Sequence, residues 1–379
     1  MLHKNERIQK LRTQSRTAIP RISIERAKLL TEFYKSEAAK GASIPVTRAM
    51  AFKYILENKT ICISEGELIV GERGPEPKAT PTYPEVCIHT ENDFKILDSR
   101  EKISFKVSPE IMNLQMNEIH PYWKGKSIRE KIFNSVTPEW IDAYNAGIFT
   151  EFMEQRAPGH TVAGKQIWHT GFLDYKQTIQ QAIQSLDFKN DSEAAEKKEE
   201  LLAMEIAADA IISFARRHSV EARKMAVVEM EPRRKQELFQ IADICSRVPA
   251  HAPENFWEAL QHYWFIHLGV ITEFNTWDSF NPGRLDQHLI SFYREGVERG
   301  TLSSEWAEEL LQAFWIKFNN QPAPPKVGVT AEESNTYTDF CNINLGGLKE
   351  DGEDGVNEIS YMLLDVIEEM RILQPSSNV

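Results

Sequence analysis

Pro253-Glu254-Asn255-Phe256-Trp257-Glu258-Ala259-Leu260-Gln261-His262-Tyr263-Trp264-Phe265-Ile266-His267 is the stretch on which the fold turns. Phe256, Leu260 and Trp264 recur at i, i+4 and i+8, while Trp257, Tyr263 and Phe265 occupy the remaining faces. A helix that is apolar nearly all round has no solvent side, so it must be buried inside a core. The run from Ala259 to Thr272 carries no formal charge but is interrupted by Gln261, His262 and His267, and it is too short to cross a bilayer. It reads as a buried helix. His262 and His267 lie five residues apart, the wrong spacing for a shared metal, and read as hydrogen-bonded core residues.

Outward from this helix, amphipathic patterns predict further helices at Ser304 to Phe318 and Asn357 to Met370, and two within Ser23 to Leu56, with Ser23 as an N-cap and Pro45 heading the second. Asn190 to Arg247 is strongly helical, with Leu201, Met204, Ala208, Ile211 and Ala215 on one stripe, and is expected to lie outside the core. Strands are expected at Ile61 to Ile63, Glu67 to Gly71 and Lys326 to Thr330, and the prolines from Pro75 to Pro84 predict a long ordered loop. The order of elements favours an α/β class, with function carried by loops.

With 379 residues, 41% hydrophobic and 26% charged, the chain has the composition of a packed globular protein. A net charge of −12 argues against nucleic-acid binding. The polar N-terminus lacks a secretory h-region and no membrane span is present, so a cytoplasmic location is expected. Cys62, Cys87, Cys245 and Cys341 show neither zinc nor disulfide spacing, and reduced thiols are expected. The phosphate-binding, metalloprotease and nucleophile-elbow motifs are all absent.

Three segments are dense in chemistry. Phe149 to Thr161 mixes aromatic, acidic, basic and imidazole groups before a Pro-Gly turn, either a pocket wall or a solvated helix end, with His160 its strongest candidate. Thr272 to Gln287 places Asp278 between Trp277 and Phe280, where a carboxylate either pairs with a cation, Arg284 being nearest in sequence, or binds a ligand ammonium. Glu332 to Gly347 offers hydroxyls, amides and paired glycines suited to a small anion, although an ordinary turn has equal claim. Cys341 reads as a packed structural thiol.

Ser23 to Ala27, Gly66 to Glu72, Pro81 to Glu85, Thr137 to Trp140, Arg156 to His160, Pro282 to Gln287 and Asn319 to Lys326 together resemble, in order and spacing, the N-terminal half of glycyl radical enzymes of the pyruvate formate-lyase superfamily. The resemblance spans essentially the whole chain and is strongest to the branch that dehydrates trans-4-hydroxy-L-proline to pyrroline-5-carboxylate. It implies a helix-rich N-terminal half of a ten-stranded α/β barrel, incomplete in this chain, residues 1–379 forming the N-terminal part of the domain. By that resemblance Phe152 and Phe340 wall the substrate ring, Ser334 holds its carboxylate, Asp339 adds to the binding pocket, and Asp278, linked with His160, meets the amine or acts as base. No cofactor is bound directly. The radical glycine, the thiyl cysteine and a glutamate two residues past it lie beyond Val379 in the family pattern, and the chain's end reads as an interruption. Implied partners are a small zwitterionic substrate, a radical S-adenosylmethionine activating enzyme and, at full length, a second copy of the protein. The alternatives are a diol dehydratase, choline lyase or formate acetyltransferase type of the same superfamily, or an inert fragment of a truncated or split gene. The open strand edges and uncovered apolar face of a half-barrel would make the isolated chain aggregate or need a partner carrying the missing half.

Overall fold

The computed structural model describes residues 5–149, 164–274, 281–323, 325–333 and 341–379, without the side chains of 329, 330 and 333. At its centre runs the helix Phe256–Glu273, with every residue from Phe256 to Gly269 buried. Asn255 caps it by accepting the Glu258 amide at 3.0 Å, and Glu258 places an acid in the first turn, where the helix dipole favours it. Packed with it in one apolar core are Ala194–Val228, Pro232–Arg247, Leu285–Glu298, Ser304–Asn319 and Glu358–Met370. A second cluster joins Glu25–Lys35 and Ile44–Asn58 through Ala27, Leu30, Phe33, Ala51 and Ile55.

Strand content among the described residues is two small parallel sheets. Arg21–Ser23 pairs with Ala79–Pro81, and Asn342–Asn344 with Ser376–Asn378. Their parallel sense follows from the helical crossovers that separate the partners. The class is therefore helix-rich mixed α/β.

The predicted helices at 304–318 and 357–370 form at Ser304–Asn319 and Glu358–Met370, and Pro45 does head the helix Ile44–Asn58. Four expectations are corrected. The stretch 190–247 is not outside the core: Ile211, Phe214, Ala215 and Ala222 belong to the main cluster, and Met204 is exposed. Its buried face is largely alanine, a weak hydrophobic signal that nevertheless lets neighbouring helices approach closely. Ser23 is the last residue of a strand, and Ile24 stands at the cap position of the next helix. Residues 326–330 enter a short helix, Gly328–Glu333, because Gly328 takes φ +57° and its amide is held by the Asp93 carboxylate at 2.7 Å. No strand forms at 61–63 or 67–71.

The lack of a strand at 67–71 has a physical cause. The backbone from Leu68 to Gly71 is fully buried, yet a helix takes the place of a partner strand. Trp257 donates its indole N–H to the Leu68 carbonyl at 2.9 Å, and Trp264 donates to Gly71 at 2.9 Å. Between them the Gln261 amide both donates to the Val70 carbonyl (3.0 Å) and accepts the Val70 amide (2.8 Å). Positions 257, 261 and 264 share one helix stripe, so three side chains replace a ladder edge. Gly71 adopts φ +108°, and a Cβ there would meet Leu268 Cδ1 at 2.7 Å. Alongside, Lys317 Nζ lies 2.6 Å from Glu67 Oε1 and also bonds Glu72, whose carboxylate accepts from Asn320 at 3.0 Å. All three charges are buried, and burial pushes the Glu72 carboxyl up although Lys317 opposes it.

Gln261→Leu will strand both the N–H and the C=O of Val70, and chemical denaturation should show a loss of about 2–4 kcal/mol. Burial also pushes His218 and His267 down to about 3 and His262 to about 4. These folded-state values lie below the unfolded one, so each imidazole costs nothing above about pH 6.5 and destabilises the fold as pH falls below it. His267→Gln will therefore show a shallower acid limb between pH 6.5 and 4, by about 1.4 kcal/mol per pH unit, in stability measured against pH.

Candidate active site

The six residues singled out from the sequence lie outside the described residues: Phe152 and His160 within 150–163, Asp278 within 275–280, and Ser334, Asp339 and Phe340 within 334–340. What the structure does show is how the flanks of these three segments are held.

The central helix leads directly into 275–280. Its last carbonyls are gripped from outside: Tyr83 donates its hydroxyl to Ile271, Arg26 Nε donates to Thr272 at 2.6 Å and Arg26 Nη2 to Glu273 at 3.4 Å. Arg26 is bound bidentately by Glu85, at 2.5 and 3.2 Å, and lies 4.0 Å over the Tyr83 ring. Arg48 pairs with the Glu273 carboxylate. Burial pushes the Glu273 carboxyl up, and Arg48 and Arg26 oppose it.

From Glu85 the chain of contacts runs on. The Ile128 amide donates to the Glu85 carbonyl (3.0 Å) and the Arg129 amide to Val86 (2.9 Å). Arg129 Nη2 then donates to the Tyr144 hydroxyl at 2.9 Å, on the helix Pro138–Asn145 that precedes 150–163. The ring of Phe149 packs against Trp140 at 4.9 Å between centroids. Gly328, at the start of the helix leading to 334–340, sits so close to Tyr144 that a Cβ would lie 2.9 Å from its hydroxyl. The entries to all three segments are thus linked.

Two of the exits are linked as well. Asn344, just past 334–340, donates its amide to the Gly283 carbonyl at 3.0 Å, just past 275–280. The buried Asp286 carboxylate accepts the Gly346 amide at 2.6 Å and the Ser360 hydroxyl, joining the start of Leu285–Glu298 to the same turn. The exit from 150–163 reaches Trp168, whose indole stacks on Tyr263 of the central helix at 5.5 Å and on His288 at 5.3 Å.

Arg284, the cation nearest Asp278 in sequence, is exposed and donates to the Leu348 carbonyl. Cys341 is wholly buried, in keeping with a packed thiol, and no disulfide forms among the described residues. Buried His267 keeps a partner in the Tyr263 hydroxyl at 3.1 Å. Among the described residues no His, Cys, Asp and Glu cluster suits a metal, and no helix is long and apolar enough to cross a membrane. Reading the sequence missed Arg26, Glu85, Arg129 and Asp286. Arg26, Glu85 and Asp286 stand inside the motifs quoted above, but a buried charge with a distant partner leaves no local signature.

The model of the pyruvate formate lyase-like family matches residues 3–379, and the chain belongs to that family. It is 54% identical over 374 residues to trans-4-hydroxy-L-proline dehydratase of Clostridioides difficile, covering 99% of this chain and 47% of that protein. Its structure is similar to that of hydroxyproline dehydratase from Clostridioides difficile with trans-4-hydroxy-L-proline bound, with a TM-score of 0.95, 54% identity and coverage of 99% of this chain and 48% of the other. It is also similar to a Roseburia inulinivorans protein described for 1,2-propanediol dehydration, with a TM-score of 0.91, 30% identity and coverage of 99% and 44%. The chain spans about half the length of these relatives.

Asp286→Ala removes the acceptor for the Gly346 amide and the Ser360 hydroxyl, and should cost about 2–4 kcal/mol in a urea melt. Asp286→Asn, which keeps one acceptor oxygen, should recover part of that loss.

Proposed function

We propose that the protein is a glycyl radical lyase that dehydrates trans-4-hydroxy-L-proline to pyrroline-5-carboxylate, and that this chain supplies its substrate-binding residues. The observation that carries the reading is the 54% identity across nearly the whole chain to a dehydratase of that substrate, against 30% for the diol-dehydrating relative. The interlocked flanks of 150–163, 275–280 and 334–340 support it, because they tie together the segments that bear every candidate residue.

In this reading Asp278 faces the secondary ammonium of the substrate, and His160 fixes the orientation of Asp278. Ser334 donates to the substrate carboxylate, Asp339 contributes to the polar lining, and Phe152 and Phe340 close on the ring and exclude water. A charge pair with the ammonium in a dry pocket sets the position of the ring, which is the first requirement for stereospecific loss of a hydroxyl. The glycyl radical, relayed through a cysteine, supplies hydrogen-atom transfer. We place both of those residues, and the glutamate that protonates the leaving hydroxyl, outside this chain, with residues 1–379 as the N-terminal half of the ten-stranded barrel. Installation of the radical would fall to a radical S-adenosylmethionine activating enzyme, and the full-length protein would work in the cytoplasm as a homodimer.

The full-length protein, activated anaerobically, should convert trans-4-hydroxy-L-proline to pyrroline-5-carboxylate, followed by trapping of the product. Asp278→Asn should lower kcat/KM by about a hundredfold or more with radical content unchanged. A protein with a strong glycyl radical signal that makes no pyrroline-5-carboxylate, or that dehydrates 1,2-propanediol in preference, would overturn the substrate assignment.

A further inference from the structure

We infer that Arg26 is a positioning residue: it sets the C-terminal end of the central helix, and thereby the point from which the segment bearing Asp278 departs. Its catalytic meaning rests on the function proposed above, whereas its structural role stands on geometry alone. An α-helix ends with four carbonyls that have no partner within it. For Phe256–Glu273 all four are accounted for: the Phe274 amide bonds Val270 at 2.8 Å, Tyr83 takes Ile271, and Arg26 takes both Thr272 and Glu273. Arg26 is only 4% exposed, so these bonds form away from competing water, and its charge meets the negative end of the helix dipole. The bidentate bond to Glu85 fixes the plane of the guanidinium while its other edge reaches the carbonyls.

Only a planar fork can serve a carboxylate on one edge and two successive carbonyls on the other. A lysine ammonium in the same place has the charge but not that geometry. Phe274 alone stands between Glu273 and the segment 275–280, so a shift of the helix end passes straight to the departure point of the next residues. A displacement of about 1 Å at a reacting group is enough to cost about a hundredfold in rate.

The test is Arg26→Lys, with Glu85→Gln as a milder second variant that leaves the Arg26 donors on the helix carbonyls. Hydrogen exchange of the peptide covering 268–285 should accelerate at least about tenfold in Arg26→Lys, while Ser304–Asn319 exchanges as in the wild type. In the activated full-length enzyme the same variant should keep its radical content and lose about a hundredfold in kcat/KM for trans-4-hydroxy-L-proline, chiefly through KM. Glu85→Gln should show the same pattern at about a few-fold. Unchanged exchange at 268–285, uniform acceleration throughout the core, or accelerated exchange with unaltered kinetics would each overturn the inference. A wild-type protein inert toward hydroxyproline would retire the substrate reading instead, and the exchange result would then decide the role of Arg26 by itself.

Discussion

A main chain buried away from water must find hydrogen-bond partners, and in this protein the wholly buried segment from Leu68 to Gly71 finds them on a helix. Trp257, Gln261 and Trp264 hold the backbone of Leu68 to Gly71 in a single register against the central helix. A slip of one residue would leave two indole N–H groups and a carboxamide facing the wrong atoms, each at the cost of an unpaired buried polar group. From that fixed segment the chain continues to Tyr83, which donates to the Ile271 carbonyl at the far end of the same helix, and to Glu85, which holds Arg26 against the two carbonyls that follow. The helix is therefore held near both ends by one continuous stretch of sequence together with Arg26, and its C-terminal end is fixed in place.

Buried charges reinforce this arrangement at two points. Lys317 lies between Glu67 and Glu72, with Asn320 and Gln321 completing the bonds to Glu72. Arg26 joins Glu85 to the helix carbonyls. Removing charges from water consumes most of what their attraction returns, so such clusters add little net stability, whereas losing one partner costs several kcal/mol. A packing that parted Lys317 from Glu67 and Glu72, or Arg26 from Glu85, would leave a buried charge unpaired and is disfavoured on that ground.

Periodicity made the helices legible. The all-round apolar pattern of Phe256 to His267 identified the central helix, and the stripe Ile359, Met362, Leu363 and Val366 identified the last one. Strands were not legible, because a β-rich run such as Leu68 to Val70 says that its backbone needs partners but not what they are. The long helix Ala194–Val228 was assigned to the wrong side of the core, since alanine carries little hydrophobic signal even where it is wholly buried. At the candidate site, chemical density points to three segments of sequence, while the residues that hold their flanks carry no local signal. Arg26 and Thr272 are far apart in the chain, as are Asp286 and Gly346, and contacts of that range leave no trace in spacing.

The amino-acid sequence by itself determined the helices Phe256–Glu273, Ser304–Asn319 and Glu358–Met370, which of them is buried on all faces, and, through an ordered series of motifs, the family to which the chain belongs. Local propensity and periodicity suffice for those, because each depends on residues within a few positions of one another. Only the tertiary structure decided what satisfies the buried backbone, which charges are paired, and that the flanks of three segments distant in sequence are bound to one another. Those outcomes depend on hydrogen bonds between groups from 15 to 250 residues apart, and such bonds exist only once the chain has packed.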